Sequence, residues 1–348
     1  MSVLPAMAAW QRRGYDQAVA ALQAGHLGHA LLVCGPAYIG KRLVAEHLAR
    51  RLLCLQPGSD GLACGACRSC RLLDARAQRE PAETRPDGSL AHPFGHASHP
   101  DLLLAGHAWN DKASPPRMRS EIVIEQVRAL SEKLGLTPQL GGAQVVIVDP
   151  ADAVNWNAFN ALLKTLEEPQ PGRHLLLLAS APARLPATIR SRCQRLELRL
   201  PTQEEALAWL RARGHADARA RAALDAARGH PGQADAWLAG DGLDLREAVA
   251  RDLQQLQSGR AGLGELAQRW SADGRAGERL SHLAELARIQ AAADLTDAAA
   301  GRRLAARFDA ANRNRALLRS TVRADLVVAE ALQAWRGDPA PHDAGRRR

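Results

Sequence analysis

The sequence is poor in lysine, in aromatic residues and in long apolar segments. Aromatic residues make up 3% of the chain and are scattered, which argues against a nucleic-acid surface built on base stacking. No apolar run reaches the roughly 18 residues that a membrane helix needs, so we expect no membrane association. The first residues contain no apolar core of signal-peptide length, so we expect a cytoplasmic location. The lysines number only four: Lys41, Lys112, Lys133 and Lys164.

What is present fits a soluble globular protein of more than one domain. The 348 residues are too many for one ordinary core and suit two or three domains. A net charge of +9 permits an acidic partner or nucleic acid. Because the excess comes from arginine in a chain rich in Arg and Ala, the charge by itself does not require such a partner.

The first 200 residues alternate between short apolar runs and amphipathic helical stretches. Helical spacing occurs at 122–134 and 156–166, between runs that resemble buried strands. This alternation predicts a parallel sheet with helices on both faces. Residues 75–99, rich in Pro, Gly, His and charge, predict a surface loop or disordered insert. The strand candidates are 30–34, 102–104, 145–149 and 175–179.

After Pro201 the strand patterns stop. Thr202 and Glu205 have the spacing of a capping box at the start of a helix. Amphipathic helical patterns then continue to about residue 337, and residues 338–348 are expected to form a basic tail.

The segment between the first strand and the next helix has the pattern of a P-loop. Gly35, four residues, Gly40 and Lys41 occur in the right context to hold phosphates with backbone N–H groups and the lysine. A Ser or Thr should follow to ligate Mg²⁺, but the next residue is Arg42, which cannot ligate a cation and brings a like charge to it. We expect the loop to have lost hydrolysis, and nucleotide binding at Lys41 stays open.

A second defect follows the strand that ends at Asp149, the residue expected to hold Mg²⁺. The next position should supply a carboxylate to activate water, but it is Pro150. Asp152 is a possible stand-in, although it starts three residues along the loop, and we expect a solvated surface role for it. Together Arg42 and Pro150 remove both the metal ligand and the base.

Four of the six cysteines lie within seventeen residues, which is the strongest local signal in the chain. In a cytoplasmic protein this density favours a metal site over disulfides. Four thiolates can close a tetrahedral structural Zn²⁺ site, and the alternative is a set of buried or redox-active cysteines. His92, His96 and His99 could each replace a cysteine, but we expect them to be solvated, and we expect Cys34 to lie in the core. The predicted ligands are Cys54, Cys64, Cys67 and Cys70.

Arg192 lies in the segment Thr188-Ile-Arg-Ser-Arg-Cys193, after the fourth strand. From composition alone, this is the end of a helix with exposed arginines. The functional alternative is an arginine finger that stabilises charge on a transferring phosphate across a subunit boundary.

Taken together, these residues resemble the delta-prime family of bacterial DNA polymerase III clamp-loader subunits, a branch of the AAA+ proteins. The likeness runs through residues 25–200. Besides the P-loop and the cysteines, it is carried by these segments: His99-Pro-Asp101, Leu136-Thr-Pro138, Gly141-Gly142, 145–149, Asn160-Ala-Leu-Leu-Lys-Thr-Leu-Glu-Glu-Pro169 and Ser191-Arg-Cys193.

The resemblance implies an α/β AAA+ (RecA-like) domain at 1–200 with an inserted zinc module at about 54–70. It further implies an all-α lid at 201–241 and an all-α collar at 242–337. The implied partners are gamma/tau and delta subunits, with the sliding clamp and primed DNA reached through the assembled complex. The implied role of Arg192 is to complete the ATP site of a neighbouring gamma/tau subunit within the polymerase holoenzyme, a nucleotidyltransferase.

Two other functions remain open. The first is the ATPase motor subunit, gamma/tau. Arg42, Pro150 and Gln233 argue against it. The motor senses nucleotide with an arginine at the position where we place Gln233. The second is a stand-alone zinc-containing DNA-binding protein, against which the few scattered aromatic residues argue.

Overall fold

The apolar runs of the first half of the chain pair into a five-stranded parallel sheet. This computed structural model describes residues 4–74, 84–86, 88–91, 99–293, 297–318 and 322–336. The sheet order is β2-β5-β6-β1-β7, and a separate antiparallel hairpin joins β3 to β4. The strands are β1 (Ala30–Cys34), β2 (Leu102–Ala105), β3 (Trp109–Asn110), β4 (Arg117–Met118), β5 (Gln144–Val148), β6 (Arg173–Ala179) and β7 (Gln194–Glu197).

Helices cover both faces of the sheet, which is why β1 and β5 are buried at every position. One core joins alternate strand residues such as Leu31 and Val33 to α1 and α2, and the other joins Leu32 and Cys34 to α4 and α5. The helices of this part are α1 (Ala9–Gln23), α2 (Lys41–Leu53), α3 (Arg68–Asp74), α4 (Ile124–Leu134), α5 (Trp156–Glu167) and α6 (Ala187–Arg190).

Parallel pairing brings the carboxyl ends of the strands to the same edge of the sheet. Gly35 follows β1, Asp149 follows β5 and Ser180 follows β6. Ligands of open α/β sheets bind at this edge. The fold therefore places the P-loop and the expected metal ligand together, although Gly35 and Asp149 are 114 positions apart in the sequence.

The rest of the chain is helical wherever the structure describes it. The capping box at the start of α7 is present: Glu205 N donates to Thr202 Oγ1 at 3.3 Å, and Thr202 N donates to Glu205 Oε2 at 3.1 Å. The chain divides into two compact units, Met1–Asp235 and Ala236–Arg348. The helices are α7 (Gln203–Ala212), α8 (Asp217–Ala226), α9 (Pro231–Ala239), α10 (Gly242–Gln257), α11 (Leu263–Ser271), α12 (Ala276–Ala293), α13 (Ala298–Leu317) and α14 (Ala324–Arg336).

The second unit has its own core, formed by α10 to α14. Trp270 and Trp335 are fully buried in it. The Trp270 indole N–H donates to Asp252 Oδ2 at 2.7 Å, which satisfies its polar edge inside the core. Among the helices that the structure describes, none is long and apolar enough to cross a membrane.

The α/β prediction is confirmed, with strand ends that differ from the expected ones by one or two residues. Strand β7 and the hairpin β3–β4 were not among the predicted strands. The three-part division at 200 and 241 stays a prediction, since the two units meet at 235. Most of the segment 75–99, including His92 and His96, lies outside the described residues. In the part of this segment that is described, Thr84 and Leu90 form an antiparallel bridge.

A candidate phosphate-binding loop and a candidate metal centre

The loop between β1 and α2 has a backbone that requires glycine at both ends. Gly35 has φ +151° and Gly40 has φ +93°, values that side chains disfavour. A Cβ at Gly35 would strike the backbone of Leu198, and one at Gly40 would strike the Gln11 side chain. The loop thus leads the chain from the carboxyl end of β1 to the N terminus of α2, the geometry of a phosphate cradle.

Lys41 begins α2, and its ammonium group lies inside the loop. Nζ donates to Gly35 O at 3.0 Å, to Pro36 O at 2.8 Å and to Ser180 Oγ at 2.9 Å. The residue is only 9% exposed. Burial lowers the pKa of Lys41 from 10.5, and the nearby Asp149 and Asp152 carboxylates oppose that shift. All three ammonium protons therefore have acceptors within the protein.

Arg42 reaches the carboxylate that was expected to hold a metal. Its Nη1 lies 3.5 Å from Asp149 Oδ2, and its Nε donates to Glu46 Oε1 at 2.8 Å. Burial raises the pKa of Asp149, and Arg42 and Lys41 act in the opposite direction. Pro150 follows directly and supplies neither a carboxylate nor an N–H group. The site thus has an arginine at the position of a metal-binding hydroxyl and a proline at the position of a base.

Asp152 was expected to be solvated, and that expectation is wrong. It is only partly exposed, in the 3-10 turn Ala151–Ala153. Its two carboxylate oxygens accept the backbone N–H groups of Ser180 and Ala181, each at 3.3 Å. Asp152 therefore fixes the chain after β6, and this structural role makes it a poor stand-in for a base.

Residues from both sides contact the backbone of the loop. Trp10 Nε1 and Gln11 Nε2 donate to Ile39 O at 3.0 and 3.1 Å. On the other side, His230 Nδ1 lies 3.3 Å from Ala37 O. A Cβ at Gly232 would strike the Tyr38 carbonyl, so the first turn of α9 packs closely on the loop.

The four predicted cysteines converge. The Sγ atoms of Cys54, Cys64, Cys67 and Cys70 all lie within 4.8 Å of one another, and this cluster could hold a metal ion. The Cys54–Cys64 distance is 3.6 Å and the Cys54–Cys67 distance is 4.0 Å. Tetrahedral Zn²⁺ with bonds of about 2.3 Å needs sulfur spacings of about 3.8 Å, so the donor set fits that ion.

Backbone N–H groups point at the sulfur atoms of the cluster. Cys64 N lies 3.3 Å from Cys54 Sγ, and Cys67 N lies 3.3 Å from Cys64 Sγ. Burial acts to raise the pKa of Cys67, but the N–H groups of Cys70 and Leu55 and the neighbouring thiols outweigh it, and the pKa falls to about 6. Burial raises the pKa of Cys70. The cluster therefore favours thiolate at some positions before any metal binds.

The segment Cys54–Cys70, called the cysteine module below, is held to the rest of the protein by a contact of its own and by contacts of helix α3, into which it runs. The buried Tyr15 on α1 donates its hydroxyl to Gly61 O at 2.9 Å. Arg50 on α2 pairs with Asp74 on α3 through two hydrogen bonds of 2.5 and 2.7 Å. The module therefore extends directly from the end of α2 and is braced on both sides.

A third contact corrects the expectation that His99 is a solvated loop residue. His99 is 2% exposed and lies 2.9 Å from Ser69 Oγ through its Nε2. Its Nδ1 accepts the Asp101 N–H at 3.0 Å, which leaves Nε2 as the donor to Ser69. The buried Asp101 in turn accepts the N–H groups of Gln139 and Leu140 at 2.8 and 2.9 Å. His99 thus links α3 to the sheet.

Arg192 is exposed at the end of α6. Its Nη2 lies 2.7 Å from Glu167 Oε1, and its Nη1 donates to Thr188 O at 3.0 Å. Arg195, three residues on, is directed elsewhere, with its Nε 3.1 Å from Cys34 Sγ. Cys34 itself is buried, as expected.

Two residues of the loop site were not singled out from the sequence. Glu46 lies four residues after Arg42, a spacing that pairs side chains on one helix face and could have indicated the contact. Ser180 follows β6 directly, so its place beside Lys41 depends on the strand order, which the sequence does not state.

The fold and the loop define a class: a parallel-sheet α/β protein with a P-loop-type turn, followed by a helical region. The family model described as "DNA polymerase III, delta subunit" matches residues 10–202. The chain belongs to this family.

Relatives named as DNA polymerase III subunits occur in several bacteria. DNA polymerase III subunit delta' of Pseudomonas aeruginosa is 41% identical over 182 residues, which cover 52% of this chain and 46% of that protein. The delta' subunit of Escherichia coli is 34% identical over 245 residues, covering 70% of this chain and 64% of the relative. DNA polymerase III subunit tau of E. coli is 30% identical over 178 residues, covering 51% and 23%. The matched segments thus span less than two thirds of each relative.

A solved DNA polymerase III gamma subunit-related protein of Thermotoga maritima also aligns. It is 16% identical and has a TM-score of 0.42, with 94% of this chain and 97% of that chain covered.

Proposed function

We propose that the chain is a delta-prime-type clamp-loader subunit of AAA+ fold that does not hydrolyse ATP. The observation that carries this proposal is the ion pair between Arg42 and Asp149 in a member of this family. The residue after Asp149 is Pro150, which offers no carboxylate. Hydrolysis at a P-loop needs a metal held by a hydroxyl and a carboxylate, together with a group that orients water. In this loop the hydroxyl is replaced, the carboxylate is paired with an arginine and the base is missing.

The proposal includes a structural Zn²⁺ ion in the cysteine module. The support is the spacing of the four sulfur atoms and the backbone N–H groups directed at them. A site closed by four protein ligands has no open position for substrate, so the ion would stabilise the module and take no part in chemistry.

Arg192 is the residue that would act outside this chain. It is exposed, and its guanidinium is held in place by Glu167 and by the helix-end carbonyl of Thr188. An exposed ion pair contributes little, so a neighbour's γ-phosphate can compete for the guanidinium at small cost. We propose that it completes the ATP site of an adjacent gamma/tau subunit.

The assembly that follows is a ring with gamma/tau and delta subunits. The ring would place the sliding clamp on primed DNA in the cytoplasm as part of the polymerase holoenzyme. Within the chain, 1–200 would be the RecA-like domain, 201–241 the lid and 242–337 the collar that assembles the ring. Two relatives called delta' and one called tau are similar to this chain over 182, 245 and 178 residues, which is consistent with a shared ring architecture.

The experiment is a reconstitution with gamma/tau and delta subunits. We expect Arg192→Ala to leave assembly intact and to lower the DNA-stimulated ATPase of the complex, because a finger contributes roughly 10³–10⁵ to the rate at its site. Arg190→Ala is the matched control, since Arg190 is also exposed and lies two residues away. Equal turnover in both variants would contradict the role of Arg192.

The tau relative makes the motor subunit the alternative. A purified chain that hydrolysed ATP alone, and lost that activity on Lys41→Ala, would establish it. Failure to co-purify with gamma/tau, combined with salt-sensitive DNA binding by the chain alone, would instead indicate a stand-alone DNA-binding protein.

A further inference from the structure

Two carboxylates from different elements converge on a single guanidinium beside the loop. Glu46 comes from α2 and Asp149 from the end of β5. Arg42 lies 2.8 Å from the first and 3.5 Å from the second. The three side chains are 24%, 13% and 26% exposed for Arg42, Glu46 and Asp149, so the cluster is largely withdrawn from solvent.

This loop does not fit the Mg²⁺ ion that a P-loop ordinarily uses. Mg²⁺ demands near-ideal octahedral geometry with oxygen ligands, and a guanidinium offers donors only. Arg42 stands where the hydroxyl ligand would be, and its positive charge lies against the carboxylate that the ion would need. A divalent ion would have to displace Arg42 from Asp149 before it could bind.

The carboxylates of the site already have cationic partners within the chain. Arg42 pairs with Glu46 and Asp149, and the Lys41 ammonium lies near Asp149 and Asp152. The two cations have separate tasks: the Lys41 ammonium bonds to Gly35 O, Pro36 O and Ser180 Oγ, while Arg42 pairs with the carboxylates. A planar guanidinium suits the second task, because its donors reach two carboxylates at once.

We propose that Arg42 is a built-in replacement for the divalent cation of this loop. Its guanidinium pairs with both Glu46 and Asp149 and, with the nearby Lys41 ammonium, offsets their negative charge; it also holds the end of β5 against α2 and excludes Mg²⁺. This inference rests on the proposed function in one respect: it treats the loop between β1 and α2 as a former phosphate site that no longer supports hydrolysis. It goes further by predicting that one substitution creates a metal site.

The test is a titration of Mn²⁺, a spectroscopic probe for Mg²⁺ sites, into the full chain loaded with zinc. Free Mn²⁺ is measured by electron paramagnetic resonance with and without ADP. We expect Arg42→Thr to bind Mn²⁺ at least about tenfold more tightly than the wild type with ADP present, which corresponds to about 1.4 kcal/mol. The double variant Arg42→Thr/Asp149→Asn should lose that gain.

Arg12→Thr is the matched control, because Arg12 also pairs with a carboxylate four residues along its helix, Asp16, and that pair involves no residue of the loop. It should gain no site. If Arg42→Thr does not fold, Arg42→Gln removes the charge with a smaller change in size and should also gain binding.

Two outcomes would overturn the proposal: Asp149-dependent Mn²⁺ binding by the wild type, or no gain in a folded Arg42 variant. Neither readout needs a ring partner, so failure of the clamp-loader proposal would leave this result unaffected, and the reverse also holds.

Discussion

Helix α2 has a candidate site at each end, and the two sites differ in what balances their polar groups. At its N terminus, Lys41 and Arg42 satisfy loop carbonyls and carboxylates with the chain's own charges. At its C terminus, about 20 Å away, four sulfur atoms lie within 4.8 Å of one another. The difference teaches that an arginine can replace an ion where carboxylates need neutralising. The four converging thiols at the C terminus of α2 have the spacing of ligands to one metal ion. We expect the fold of that end to depend on the bound ion.

The largest effect should come from the metal end. Cys67→Ser should abolish metal binding and unfold the cysteine module, since structural Zn²⁺ supplies roughly 10–16 kcal/mol of binding free energy in small domains. Elemental analysis should find about one zinc ion per chain in the wild type and almost none in the variant. Cys193→Ser is the control, because Cys193 lies outside the module and should leave the metal content unchanged. Wild-type protein purified without chelator and free of zinc would refute the site.

The brace between α2 and α3 should have the next largest effect. Arg50→Ala removes two charged hydrogen bonds from the partly buried Asp74 carboxylate and should lower the free energy of unfolding by about 2 kcal/mol. Arg12→Ala, which breaks an exposed pair, should cost less than about 1 kcal/mol. Chemical denaturation followed by circular dichroism measures both. Equal losses in the two variants would mean that the Arg50–Asp74 pair does not fix the module.

A substitution of Lys41 at the loop end of α2 should lower the free energy of unfolding even in the absence of nucleotide. Lys41→Met leaves Gly35 O, Pro36 O and Ser180 Oγ without their donor and should cost about 1–2 kcal/mol in nucleotide-free buffer. In a loop organised by its ligand, the same substitution would lower stability only when nucleotide is present. Denaturation with and without ATP separates the two cases. The control is Lys112→Met, since Lys112 is exposed.

The smallest effect concerns pH at the link between module and sheet. Burial lowers the pKa of His99 from 6.5, so the folded protein binds fewer protons than the unfolded chain as pH falls below that value. Stability contributed by neutral His99 is therefore full above pH 6.5 and is lost as pH falls towards the lowered pKa. His99→Gln should flatten this part of the stability profile. Parallel profiles for wild type and His99→Gln would contradict the link.

Much of the fold could be read from the sequence, because β1 (Ala30–Cys34) and most of β5 (Gln144–Val148) are runs of apolar residues long enough to be distinctive. The hairpin β3–β4 could not, since strands of two residues leave no periodic pattern. The four cysteines were predictable from spacing alone, because the module is a local segment. His99 was not, since its burial comes from packing against Ser69, thirty residues earlier.

The loop site was predictable in part for the same reason. The residue types at 42 and 150 already exclude a metal ligand and a base. The sequence does not reveal that Arg42 contacts Asp149, since that contact joins positions 107 residues apart through the order of strands in the sheet.

The measurement that tests the central claim most directly compares two variants of this chain in a reconstituted ring. The claim is that ATP turnover depends on the arginine that this chain lends and is independent of its own loop. The DNA-stimulated ATPase rate should fall in a ring that contains the Arg192→Ala chain. It should stay at the wild-type rate in a ring that contains the Lys41→Met chain, measured under conditions in which that variant is folded. The opposite pattern, loss of turnover with Lys41→Met and none with Arg192→Ala, would contradict it.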